Sequence, residues 1–105
     1  MNPMPYVVQV LLPLYDNGGV RFPTHHYDKV RDKLTRQFGG STAYTRAPAE
    51  GLWDSGGTVK RDDIVVVEVM ARSLDRAFWA NFRRELERWF QQDEIIVRAQ
   101  TYEAL

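Results

Sequence analysis

The chain has 105 residues, 44% of them hydrophobic and 27% charged, which is the length and composition of one ordinary globular domain. Fourteen basic residues balance fourteen acidic ones, so there is no overall attraction to nucleic acid or to an anionic membrane. The chain has no cysteine, which removes disulfides, thiolate nucleophiles and cysteine-based zinc sites from consideration.

The first residues, Met-Asn-Pro-Met-Pro, carry no basic segment of the kind that opens a signal peptide, and no apolar run approaches the length of a membrane span. A soluble, cytoplasmic protein forming one domain over residues 1–105 is expected.

Residues 6–12 are apolar on both faces except at Gln9 and predict a first strand closed by Pro13. Asp16-Asn17-Gly18-Gly19 predicts a turn. Thr24 is the expected cap of a first helix, in which Tyr27, Val30, Leu34 and Phe38 recur on one stripe. Asp32 and Arg36 are spaced for an ion pair on its outer face. Gly39-Gly40 ends it.

Residues 41–47 predict a second strand, which Pro48 assigns to a sheet edge. Extended structure resumes at Gly51-Leu52-Trp53, and Asp54-Ser55-Gly56-Gly57 predicts the turn of a hairpin. That hairpin leads into residues 63–71, the most strand-like run of the chain, in which Glu68 is the one polar interior position. Ser73 is the expected cap of a second helix over residues 74–92. Leu74, Phe78, Phe82, Leu86, Trp89 and Phe90 make its apolar face, with Trp79 at the border. At about 100° per residue Glu85 falls inside that apolar arc. Residues 94–100 predict a final strand.

The order strand, helix, strand, strand, helix, strand is that of the ferredoxin-like βαββαβ domain, in the α+β class. Right-handed crossovers then place both helices on one face of a four-stranded antiparallel sheet of order 4-1-3-2. Alternation assigns Tyr6, Val8, Val10, Leu12, Val65, Val67, Val69, Ile95, Val97 and Ala99 to the helix-covered face. The opposite face receives Val7, Leu11, Ile64, Val66, Met70 and Ile96, an apolar patch that calls for a partner. A second copy is the simplest partner, so a homodimer is expected, with the sheets packed face to face as in a dimeric α+β barrel.

Gln9, Glu68, Arg98 and Gln100 project from the same face. They predict either a self-satisfying polar network at an interface, with Glu68 and Arg98 paired or bridged through Gln9, or the polar part of a small-ligand pocket. The network reading is favoured. Glu85 is the other candidate, as a carboxylate of the general-acid kind or as one that meets a cation such as Arg72.

His25 and His26 point in different directions on a helix and have no third ligand spaced beside them, so a solvated first turn is expected. The arginines at 76, 83, 84 and 88 form a solvated stripe. An RNA-binding sheet would need aromatics where this chain has Val7, Gln9, Val66 and Glu68. No phosphate-binding loop, metal spacing or catalytic triad stands out, so no cofactor, no nucleic acid and no membrane partner is expected.

Phe38-Gly39-Gly40-Ser41-Thr42, Gly51-Leu52-Trp53, Gly57 and Arg61-Asp62 resemble the pattern of an uncharacterised bacterial family of small ferredoxin-like domains. The chain departs from it at Pro48 and Asp62-Asp63. The resemblance implies the same fold, marks Trp53, Arg61 and Asp62, and brings no established activity. The function expected from the sequence is a non-catalytic homodimeric domain that associates through its open sheet face, with a small ligand enclosed there as an option beyond that. The alternative is a cofactor-independent enzyme of the dimeric α+β barrel type acting on an apolar or aromatic substrate.

Overall fold

The computed structural model describes residues 5–46 and 64–105. The elements run β1 (Tyr6–Pro13), α1 (Thr24–Phe38), β2 (Thr42–Arg46), β3 (Ile64–Ala71), α2 (Arg76–Trp89) and β4 (Ile96–Thr101). β1 pairs antiparallel with both β3 and β4, and β2 pairs antiparallel with β3. The sheet order is therefore β2-β3-β1-β4, which read from the other edge is 4-1-3-2. The two strands that are apolar on both faces take the centre, where neighbours cover them. The expected hairpin around Trp53 lies outside the described residues.

Strand alternation sets the two faces. Val8, Val10, Leu12, Val65, Val67 and Val69 are buried in one core with Val30 and Leu34 of α1 and Phe82 and Leu86 of α2. Phe90 and Ile95, just after α2, complete it at 0% and 2% exposure. Burying each large apolar side chain contributes about 1.5–3 kcal/mol, so this double layer is the main source of stability. The aromatics of α2 pack with Phe38, whose ring stacks on Trp79 at 5.2 Å between centroids.

The helix ends depart from expectation in informative ways. α1 has Pro23 at its N-cap with no side-chain bond, so Thr24 is the first helical residue and not the cap. Its C-cap is Gly39 at φ 84°, whose N–H donates to the Thr35 carbonyl, and this left-handed geometry explains the Gly. Asp75, not Ser73, caps α2, its carboxylate accepting from the Phe78 N–H at 3.0 Å. α2 closes at Trp89, short of residue 92. There Gln91 takes φ 51°, and Glu87 accepts from the Ile95 N–H at 3.0 Å to start the return to β4. Asp32 and Arg36 make no ion pair with each other; the helices are joined instead by Lys33 and Glu85.

The Asp16 turn forms as expected, with the carboxylate accepting from the N–H groups of Gly18 and Val20 and Gly19 at φ 82°. Ala99 is the exception to the face assignment. It lies on the helix side but is exposed, on an edge strand with an open groove between it and the start of α2. Val7 and Val66, expected on the open patch, are buried at 7% and 1%.

Candidate functional site

A chain of polar side chains crosses the open face of the sheet, one from each strand. Gln9 stands opposite Glu68 on β3 and opposite Arg98 on β4. Arg98 Nε donates to Gln9 Oε1 at 2.8 Å. Gln9 Nε2 in turn donates to Glu68 Oε1 at 2.5 Å. Tyr44 on β2 completes the chain, its hydroxyl donating to the same Glu68 oxygen at 2.8 Å.

The order of donors follows from chemistry. A guanidinium only donates, so the amide oxygen of Gln9 must face Arg98 and its NH₂ must face the carboxylate. Glu68 and Arg98 are thus bridged through Gln9, one of the two arrangements the sequence allows. Glu68 is half-buried, takes both of these bonds from neutral groups, and forms no ion pair among the described residues.

Apolar side chains flank the polar row. Met70 is 53% and Ile96 52% exposed, and both belong to the open face. Leu11 and Ile64 are half-buried beside them. Gln100 is exposed opposite Val7 and takes no part in the chain of bonds. Trp53, Arg61 and Asp62 lie outside the described residues.

Glu85 is not brought to this face. It sits in the helix layer, on the other side of the sheet, where Lys33 Nζ bonds its Oε2 at 2.8 Å. The cation it meets is Lys33 of α1 and not Arg72, because the two helices pack side by side. Lys33 also lies over the Phe82 ring at 5.1 Å. A carboxylate so paired is a link between helices.

His26 departs from the solvated first turn expected of it. Its ring packs at 5.5 Å from both Phe22 and Phe90, and its Nδ1 is buried without a hydrogen-bond partner among the described residues. Burial, then the nearby His25 and Lys29 charges, hold its pKa below 6.5. Tyr27 donates to the Pro13 carbonyl at 2.7 Å, and burial raises its pKa.

Tyr44 is the member of the polar row that sequence reasoning missed. It pairs with Val66, not with Glu68, and reaches the carboxylate on the diagonal. Its place in the alternation of residues 41–47, two positions after Thr42 on the same face, was the available signal.

No family model matches the chain, and no curated protein matches it. Solved structures do. A phage SAM lyase in complex with S-methyl-5′-thioadenosine superposes with a TM-score of 0.63 at 12% identity, over 96% of this chain and 84% of that one. CutA1 from Pyrococcus horikoshii gives 0.53 at 12% identity, over 95% and 85%. A Bacillus cereus protein related to NIF3 gives 0.54 at 12% identity, over 97% of this chain and 26% of the other. At such identities the likeness shows the fold, a small α+β domain. No helix among the described residues is long and apolar enough to cross a membrane.

Proposed function

We propose that the chain is a homodimeric domain that associates through its open sheet face and encloses a small polar site there, centred on Gln9, Glu68 and Arg98. The observation that supports this is the combination on one face of half-exposed Met70 and Ile96 with an ordered polar row. Exposed apolar side chains on a sheet face favour a partner, and a two-fold copy supplies the same surface in return. Ordered polar groups inside an apolar wall are how ligand sites are commonly built. Gln100 belongs to the same proposal, as do Trp53 and Arg61 as candidates from the sequence for the pocket or interface, and one domain over residues 1–105 is part of it. The resemblance to a bacterial family of small ferredoxin-like domains fits this reading without adding an activity.

Light scattering at tens of micromolar tests it. A dimer mass is expected, falling to a monomer in Ile96→Arg with the circular dichroism unchanged. A monomeric wild-type chain overturns the proposal.

A second reading rests on Glu68. A carboxylate bonded, among the described residues, only by neutral donors retains attraction for a cation. An aromatic ligand carrying positive charge would suit it, and Tyr44 offers a hydroxyl and a ring beside it. The phage SAM lyase of the same fold was solved with S-methyl-5′-thioadenosine. S-Adenosylmethionine and S-methyl-5′-thioadenosine are therefore the first probes for a small enzyme acting on an aromatic substrate. Calorimetric titration should show binding of one or both, lost in Glu68→Gln. No heat with either discards this reading and leaves the first standing.

A further inference from the structure

The polar row carries an acid on β3 and a base on β4, with β1 between them. Adjacent strands lie about 4.8 Å apart, so the backbones under Glu68 and Arg98 are about 10 Å from one another. Gln9 fills that gap and bonds to both side chains, which form no ion pair with each other. Each charge is left with capacity to spare. Glu68 receives both of its bonds at Oε1, and its Oε2 has none among the described residues. Among those residues only His26 Nδ1 and Trp79 Nε1 are buried without a partner, so the unbonded Oε2 is open to a group arriving from outside. Arg98 is exposed and bonds through Nε, which leaves its two terminal nitrogens free among the described residues.

We propose that the two-fold axis of the homodimer runs along β1, so that Glu68 of each copy pairs with the partner's Arg98. This rests on the dimer through the open sheet face proposed above and names the residue that the second copy brings to the polar site.

Charge selects the axis. A two-fold axis across the strands, along the row, would set Glu68 on the partner's Glu68 and Arg98 on the partner's Arg98. An axis along β3 or along β4 would likewise set one of the charges on its own copy. Like charges held together in an interface are strongly unfavourable. An axis between β1 and β3 would set the carboxylate on the partner's Gln9 and leave it without a cation. An axis along β1 exchanges β3 and β4, so acid meets base twice in each dimer. Facing sheets cross at about 30°, which at about 5 Å from the axis displaces facing groups by about 2.5 Å, within reach of Glu and Arg side chains. A guanidinium with two free nitrogens suits a carboxylate oxygen in this position.

The apolar residues agree with the same axis. Leu11 stands level with Val66 on β3 and Ile96 on β4. On this axis Leu11 lies against the partner's Leu11, and the exposed Ile96 lies over the partner's β3 at the level of Val66. On the other side of the row the exposed Met70 falls over the methylene stem of the partner's Gln100. β2 stays beyond the overlap, so Tyr44 continues to donate to Glu68.

Light scattering across a dilution series of the full chain provides the test. The wild-type mass reports on the open-face dimer, and the charge variants report on its axis. Arg98→Glu, at an exposed position on an edge strand, and Glu68→Arg should each weaken self-association by about a hundredfold, because every interchain pair becomes like-charged. Circular dichroism verifies that each variant folds. An equimolar mixture of the two should recover the wild-type dimer mass, because the mixed dimer again sets two acids against two bases. Glu68→Gln, which keeps the shape of the side chain, should weaken the dimer by about tenfold. It would tighten the dimer if Glu68 faced its own copy. Undiminished association of Arg98→Glu, no recovery on mixing, or a tighter dimer in Glu68→Gln overturns this axis and leaves the open-face dimer standing. A monomeric wild-type chain overturns both.

Discussion

Gln9 and Glu68 stand directly opposite one another on the two central strands, and Gln9 Nε2 donates to Glu68 Oε1 at 2.5 Å. Because Gln9 also accepts from Arg98, one residue serves both charged neighbours. Leucine has nearly the same shape and can do neither. Gln9→Leu should therefore lower stability by about 1 kcal/mol, because Glu68 is half-buried and keeps its bond from Tyr44 while Arg98 is exposed to water. The denaturation midpoint should fall with no change in slope.

The α2 cap is a local device with a local cost. Asp75 accepts from the Phe78 N–H at 3.0 Å. Asp75→Ala should cost about 1 kcal/mol, and Asp75→Asn much less, since Asn caps nearly as well. Ser73→Ala, at the position the sequence favoured, should leave the melting temperature within experimental error.

Leu86 is fully buried between α2 and the sheet. Truncation leaves a cavity that rigid neighbours cannot fill. Leu86→Ala should lower stability by about 2–5 kcal/mol, read by chemical denaturation.

The link between the helices should matter far less than its geometry suggests. Lys33 and Glu85 lie 2.8 Å apart, but their side chains keep 41% and 28% exposure. Solvent screens such a pair, so a double-mutant cycle with Lys33→Met and Glu85→Gln should return a coupling below about 1 kcal/mol. A larger coupling would mean that the pair is shielded in the native assembly.

His26 predicts a pH dependence of defined sign. Burial lowers its folded-state pKa below the unfolded 6.5. Between those two values the unfolded chain binds more protons, so stability rises with pH. The contribution is fully present above pH 6.5 and is lost as the pH falls through 6.5 toward the folded value. His26→Phe should flatten the melting temperature over that window, whereas His25→Phe should only narrow the dependence, since burial is the larger cause and the His25 charge a lesser one. An unaltered profile in His26→Phe would assign the dependence elsewhere.

The polar row shows how far one-dimensional pattern reaches. Gln9, Glu68 and Arg98 were legible because strand alternation puts each on a known face and the strand order puts them on neighbouring strands. Tyr44 was not, since its bond to Glu68 runs diagonally and depends on the register of β2 against β3. Glu85 was placed correctly in the apolar arc, but its partner comes from α1, and no periodicity within one helix names a residue on the next. Ala99 was assigned to the core by its period, yet on an edge strand beside an open groove it stays exposed.

By itself, then, the order of elements and the two-sided apolar character of β1 and β3 determined the ferredoxin-like topology and the central pair of strands. That information is local, carried by periodicities of two and of 3.6 residues. Only the tertiary structure decided that Gln9 bridges Glu68 and Arg98 and that Lys33 takes Glu85. Those outcomes depend on register and on the lateral offset of whole elements, which arise from packing the entire core at once.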